Sequence, residues 1–427
     1  MSNSFEQFKH FVAQTSDAPI GLEIVQAEGS FIHTKQGQSY VDFISGIAVS
    51  SLGHRHPAVV SAIKKQVDKH LHVMVYGEFV QEVQWNFAKE LVELLPEPLE
   101  QVYLVNSGTE ANEGALKLAK KSTRRTKLVA FHNSYHGDTH GSLSVTGRNV
   151  YRDPYLPLLP EVSFLHFNRI EDLTKIDTET AAVIVEPIQG EGGVIAAHLN
   201  WLQALRKRCT DVGAVLIFDE IQSGFARTGR FFAFEHYQVV PDILCLAKAM
   251  SGGMPMGAFV SSREHFKSFM YDPPLNHVTT FGGHPVSAAA ALANLRVLKQ
   301  GNFVAKARVI EEYARAILTG PGIIELRGMG AMLGLELCDR SLTQKVVERC
   351  FDKGILLGWT LHSNTLIRLA PPLTIPINLL VKTLESIKEA IEVAVDETVE
   401  KMVKDPLKSA QQKTDYNDVY HPTTSST

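Results

Sequence analysis

Short, almost wholly apolar runs recur through the middle of this chain, at residues 182–185, 214–218, 243–246 and 257–260. Runs this short, rich in β-branched residues and free of polar interruption, predict strands covered on both faces. Residues 102–105 and 127–131 predict two more strands, and helical patterns at 109–121, 201–212 and 286–298 fall between or after them. The alternation implies βαβ units and an α/β fold with a central, largely parallel sheet between helices.

The flanks read differently. Residues 31–43 predict a hairpin around Gly37, and GHRHP at 53–57 predicts a turn whose proline opens a helix near Ala58. A second helix fits 81–95 and stops at Pro96, while 302–399 has its own helix–strand alternation. The expected organisation is an N-terminal segment (1–50) joining a smaller α+β domain (299–400), a large domain (51–298), and a mobile polar tail (401–427). Hydrophobic residues make up 44% and charged residues 21% of the 427, ample for a core. A net charge of −4 offers no basic field for nucleic acid. Neither a membrane-length apolar run nor a secretory signal is visible. Cys209, Cys245, Cys338 and Cys350 lack CxxC spacing and read as reduced thiols, so a cytoplasmic protein is expected.

The candidate chemistry sits where apolar runs end. AVLIFDEIQSGFARTG (214–229) ends its strand at Asp219 and Glu220. Ligands of open α/β sheets bind at the carboxyl ends of strands. A carboxylate there can grip a cationic ring nitrogen or a metal, although a helix-capping role fits Asp219 equally well by itself. The run PDILCLA ends at Lys248, before SGGMPMG. A lysine ending a buried strand needs a partner or a covalent role. A lysine Schiff base with an aspartate on the pyridinium nitrogen is what pyridoxal phosphate requires. VNSGTEANEGALKLAKK (105–121) then supplies a helix N-terminus with Ser107, Gly108 and Thr109, suited to phosphate or to plain capping. In HNSYHG (132–137), Tyr135 or His136 could stack on a planar ring. His54 and His56 lack the partners of a zinc site, so no metal is expected.

These motifs resemble the class III (ω-amino acid) aminotransferases, which act on acetylornithine, ornithine, 4-aminobutyrate and putrescine. The resemblance spans about residues 20–395 and rests on SGIAVSSLGHRHP, NSGTEANEGALKLAKK, EPIQGEGG, FDEIQSGFARTG, the Lys248 segment, TTFGGHP and IRLAPPLTI. It implies the fold type I of pyridoxal-phosphate-dependent transferases, aspartate aminotransferase-like. It also implies a homodimer with shared sites, and ping-pong transfer from a small amino donor to a 2-oxo acid. Lys248 matches the Schiff-base lysine and Asp219 the pyridinium partner. Ser107, Gly108 and Thr109 match the phosphate cup, and Thr280 the threonine reaching that phosphate from the other subunit. Tyr135 matches the stacking ring, with His136 beside it. Gln222 matches the neighbour of the phenolic oxygen, and Glu186 joins the cofactor-binding set. Arg368 matches the arginine that receives a 2-oxo acid carboxylate, and Glu191 the glutamate that masks it when an ω-amine is bound.

One departure stands out. Relatives that bind a distal carboxylate commonly read YHGRT, whereas this chain reads YHGDT, with Asp138 in the arginine's place. Asp138 would repel an anionic substrate end or else simply face solvent, and Arg148 or Arg152 is an alternative source of positive charge. The alternative activity on this scaffold is an aminomutase or racemase, which needs no net acceptor.

Overall fold

The computed structural model describes residues 3–359 and 363–404. Its centre is a seven-stranded sheet in the order Gln101–Val105, Gly257–Ser261, Ile243–Leu246, Val215–Asp219, Thr180–Val185, Lys127–Phe131, Val162–Leu165. The pairings are parallel from Ile243–Leu246 to the Val162–Leu165 edge. Gly257–Ser261 runs antiparallel to both neighbours, which makes the sheet mixed and mostly parallel, as expected. The ten residues between it and Ile243–Leu246 are too few for a helical crossover, so the chain can only reverse. The edge strand Val162–Leu165 went unread in the sequence because only Leu165 is fully buried.

Successive residues of one strand build two cores. In Val215–Asp219, Leu216 and Phe218 pack with Trp201, Leu205 and Phe131. Val215 and Ile217 face the other way, toward Ala111, Ala115, Leu118 and Phe259. The helix Leu199–Val212 covers the first face and Gly108–Thr123 the second. Gly114 lets the latter approach closely: a Cβ there would lie 2.3 Å from the Phe259 ring.

The expected hairpin is present as Phe31–Thr34 against Ser39–Asp42. Ser39–Asp42 also pairs in parallel with Ile355–Leu356, joining the N-terminal segment to the C-terminal region. There a second four-stranded sheet, Ile323–Met329, Met332–Leu337, Leu366–Leu369 and Gly358–Trp359, carries Arg368. Arg227, fully buried, binds this region to the centre by donating to Ser51 Oγ at 2.7 Å and Pro371 O at 2.6 Å. The last helix, Ile377–Lys404, runs through residues 401–404, where a tail was expected; the rest of that segment, 405–427, lies outside the described residues. Among the described residues no helix is long and apolar enough to cross a membrane.

Candidate active site

Parallel pairing sets Asp219 opposite Cys245, so the strand ending in Asp219 and the strand leading to Lys248 are neighbours, as the sequence implied. Beyond Leu246 the chain breaks sharply. Lys248 has φ of +45°, a conformation disfavoured for a side-chain-bearing residue, which marks a strained turn at the end of the strand. Asn294, buried on the helix Pro285–Gln300, holds that turn by donating to Ala249 O at 2.8 Å and Met250 O at 3.1 Å. Lys248 opens into a cavity of about 680 Å³ lined also by Ser107, Gly108, Thr109, Tyr135, His136, Asp138, Glu186, Glu191, Asp219 and Gln222.

The two carboxylates of the DE pair separate. Asp219 lines the cavity, accepting from His136 Nδ1 and Asn112 Nδ2, each at 2.8 Å, and from Ile221 N at 3.1 Å. Glu220 points away and accepts from Ala233 N at 2.6 Å and Phe234 N at 2.7 Å, which makes it a structural cap. Glu186 extends from the Thr180–Val185 strand end and joins two loops, accepting from Tyr135 N at 3.0 Å and Gly190 N at 2.9 Å. Burial pushes the Glu186 carboxyl up to about 7. Burial also lowers the Lys248 ammonium from its usual value, against the opposing pull of Glu191, Asp219 and Glu186.

The helix Gly108–Thr123 begins on this cavity, with Ser107 Oγ capping Glu110 N at 3.3 Å. The first N–H groups of a helix have no intrahelical acceptors and attract anions. Gly108 and Gly137 keep this end open. A Cβ on Gly108 would lie 2.7 Å from Ile221, and one on Gly137 2.3 Å from Thr109 Oγ1.

Glu191 and Arg368 meet as a buried ion pair. The Glu191 loop is held from the C-terminal sheet, where Arg327 donates to Gly193 O at 2.5 Å and pairs with Glu336 at 2.7 Å. Gln222 Nε2 reaches Glu191 Oε1 at 3.5 Å.

Two expected residues lie at or beyond the margin. Asp138 is exposed at the cavity mouth, where it accepts from the Tyr135 hydroxyl at 2.8 Å. Thr280 is exposed and does not line this cavity; its neighbour Thr279 accepts from Asn106 Nδ2 at 3.1 Å. Arg152 lies over the Phe164 ring, 3.8 Å from its centroid, and does not line the cavity. His54 is taken by Asp42 at 2.8 Å, and no metal-binding cluster occurs among the described residues. Asn112 and Asn294 were missed by sequence reasoning: a lone asparagine within a helical pattern gives no sign that its partners are far along the chain.

The donor set fits pyridoxal phosphate. An amine, a carboxylate, an aromatic ring and an anion-binding helix end converge on one cavity. The buried atoms His136 Nε2 and Gln222 Oε1, on lining residues, lack a protein partner, as befits walls completed by a polar guest.

The model of the family "Aminotransferase class-III" matches residues 11–391. A [LysW]-aminoadipate semialdehyde/glutamate semialdehyde transaminase of Sulfolobus acidocaldarius is 40% identical over 356 residues, 82% of this chain and 90% of the relative. An acetylornithine aminotransferase of Methanocaldococcus jannaschii is 40% identical over 366 residues, covering 82% and 89%. Among solved structures, the ornithine aminotransferase of Toxoplasma gondii superposes with a TM-score of 0.86 at 28% identity, covering 92% of this chain and 94% of that one. A transaminase of the marine bacterium Virgibacillus gives 0.87 at 25%, covering 93% and 100%. The chain therefore belongs to the class III aminotransferases, which are pyridoxal-phosphate-dependent enzymes.

Proposed function

We propose that this aminotransferase moves the amino group of an ω-amino acid or diamine, of the acetylornithine and ornithine kind, to a 2-oxo acid in two half-reactions at one site. The carrying observation is the buried Glu191–Arg368 ion pair beside Lys248. A site that accepts first an amine lacking a carboxylate near its reacting carbon, and then an acid that has one, needs a positive charge it can hide. Paired with Glu191, Arg368 is neutralised; with Glu191 turned aside, its guanidinium grips a carboxylate through two hydrogen bonds.

Pyridoxal phosphate, when bound, supplies an aldehyde that condenses with amines and a cationic ring that withdraws electrons from the substrate carbon. Lys248 Nζ is the residue that would hold that aldehyde at rest and, once displaced by an amine, move the proton from the donor carbon. Its burial favours the neutral, basic amine. Asp219 would keep the ring nitrogen protonated, and Ser107, Gly108 and Thr109 would bind the phosphate. Tyr135 would cover the ring face, with His136 steadying Asp219, Glu186 fixing the Tyr135 loop and Gln222 facing the phenolic oxygen.

The active unit in this reading is a homodimer, with Thr280 completing the partner's phosphate site. Phe79, Val80, Leu275 and Phe281, all exposed, support this as an apolar surface flanking the Thr279–Thr280 segment. The four free cysteines support a reducing, cytoplasmic setting.

The test is a donor panel of N-acetylornithine, ornithine, 4-aminobutyrate, putrescine, lysine and β-alanine, each with pyruvate and with 2-oxoglutarate. Transfer from at least one terminal amine to a 2-oxo acid is expected. Turnover that proceeds without any 2-oxo acid would overturn the reading in favour of an aminomutase or racemase.

A further inference from the structure

Asn112 has no exposed surface and stands on the helix whose first turn borders the cavity. Its amide nitrogen makes two short contacts with parts of the chain that are remote in sequence. One goes to Asp219 Oδ2 at 2.8 Å, the other to the backbone oxygen of His136 at 2.7 Å. Both partners are pure acceptors, so the amide is fixed with its NH2 group toward them and its oxygen turned away. That oxygen, Asn112 Oδ1, is buried and lacks a partner. Burying an unsatisfied acceptor is unfavourable, so the two donated bonds must outweigh it. His136 in turn donates from Nδ1 to the same Asp219 oxygen, also at 2.8 Å. The carboxylate therefore has two donors on Oδ2 and a backbone N–H on Oδ1, a set that fixes its plane.

We infer that Asn112 is a positioning residue for the transamination: it fixes the Asp219 carboxylate against the cofactor ring and locks the Tyr135–His136 turn to the same point. This rests on the reading of Asp219 as the ring-nitrogen partner. Asn112 touches neither substrate nor cofactor in this account; it acts through Asp219 and His136.

The experiment is a double-mutant cycle on the holoenzyme with Asn112→Ser, Asp219→Asn and the two combined. The readouts are kcat, KM for the acceptor, the rate of cofactor loss on dialysis, the pH midpoint of the bound-cofactor absorbance, and Tm. Asn112→Ser keeps a small polar group but removes both donors. The expected result is a fall in kcat of roughly tenfold to a hundredfold with acceptor KM little changed, the size for losing hydrogen bonds to a charged group. Faster cofactor loss and a moved absorbance midpoint should accompany it. On the Asp219→Asn background Asn112→Ser should add little, because the two act as one unit.

Asn112→Asp, nearly isosteric, separates positioning from packing. Burying a carboxylate there should lower Tm whatever the asparagine's role, but a merely structural asparagine would leave kcat and the spectrum of the folded holoenzyme unchanged, whereas a carboxylate aimed at Asp219 should damage both more than serine does. Wild-type kcat and spectrum in Asn112→Ser, or fully additive losses in the cycle, would overturn the inference. If Asp219→Asn alone leaves activity and spectrum intact, the reading of Asp219 fails instead, and the two failures are told apart. Should Asn112→Asp not fold, the Asn112→Ser cycle decides alone.

Discussion

Glu191 and Arg368, 177 residues apart in the chain, form a buried ion pair that joins the loop between the short paired strands Ile188–Gln189 and Ile195–Ala196 to a strand of the C-terminal sheet. Removing one member of such a pair strands the other charge, at a cost of about 3–5 kcal/mol. In Glu191→Ala the cost should fall unequally on the two half-reactions. If the ω-amine half-reaction needs Arg368 masked, as proposed, it should slow by on the order of tenfold or more, about 1.4 kcal/mol in the barrier. The half-reaction with the 2-oxo acid, which needs Arg368 free, should be spared or improved. Single-turnover absorbance traces of each half-reaction check this, and equal losses in both would contradict the masking role.

Asp138 accepts from the Tyr135 hydroxyl at the cavity mouth, so its replacement alters both charge and ring position. Asp138→Arg should raise kcat/KM for carboxylate-tailed donors relative to diamines by roughly tenfold, about 1.4 kcal/mol of discrimination. Asp138→Asn retains an acceptor for Tyr135 without the charge, and its preference should lie between the two. A donor panel unchanged in Asp138→Arg would mean that the residue does not meet the substrate.

Gly137 has φ of +124°, and a Cβ there would lie 2.3 Å from Thr109 Oγ1. Gly137→Ala should displace Thr109 and loosen cofactor retention by on the order of tenfold, measured as release on dialysis. Gly37→Ala is the control. Its φ is +80° but nothing lies within 4 Å of the added carbon, so it should lower Tm slightly and leave retention unchanged.

Burial pushes Glu186 and Glu220 up to about 7, from an ordinary value of 4.5. Between those two pH values the folded protein holds protons that the unfolded chain has released. Stability should therefore fall as pH rises from about 4.5 to 7 and level off above, by at most roughly 3 kcal/mol per group. Glu220 lies outside the cavity, so Glu220→Gln isolates its share. Denaturant melts across that pH range should show a shallower slope in the variant, and an unchanged slope would contradict the assignment.

The fold's strand ends were legible in the sequence because burial on both faces leaves a continuous apolar signature. Asp219 and Lys248 stand out for that reason, each interrupting such a run. Strand direction was less visible: only the ten-residue link after Leu246 hints that Gly257–Ser261 turns back. The supporting asparagines were silent. Asn112 meets Asp219 across 107 residues, and Asn294 meets the Lys248 turn across 44 and 45, so local pattern carries no trace of either contact. Strand alternation already turns Glu220 away from Asp219, but the partner that claims it, the Ala233–His236 turn, was equally hidden.

The most direct measurement is to treat the holoenzyme with borohydride, digest it, and locate the trapped cofactor by mass spectrometry. A single modified peptide carrying the label on Lys248 is the expected result, abolished in Lys248→Ala. A label on another lysine, or none on an enzyme that still transfers amino groups, would contradict the account.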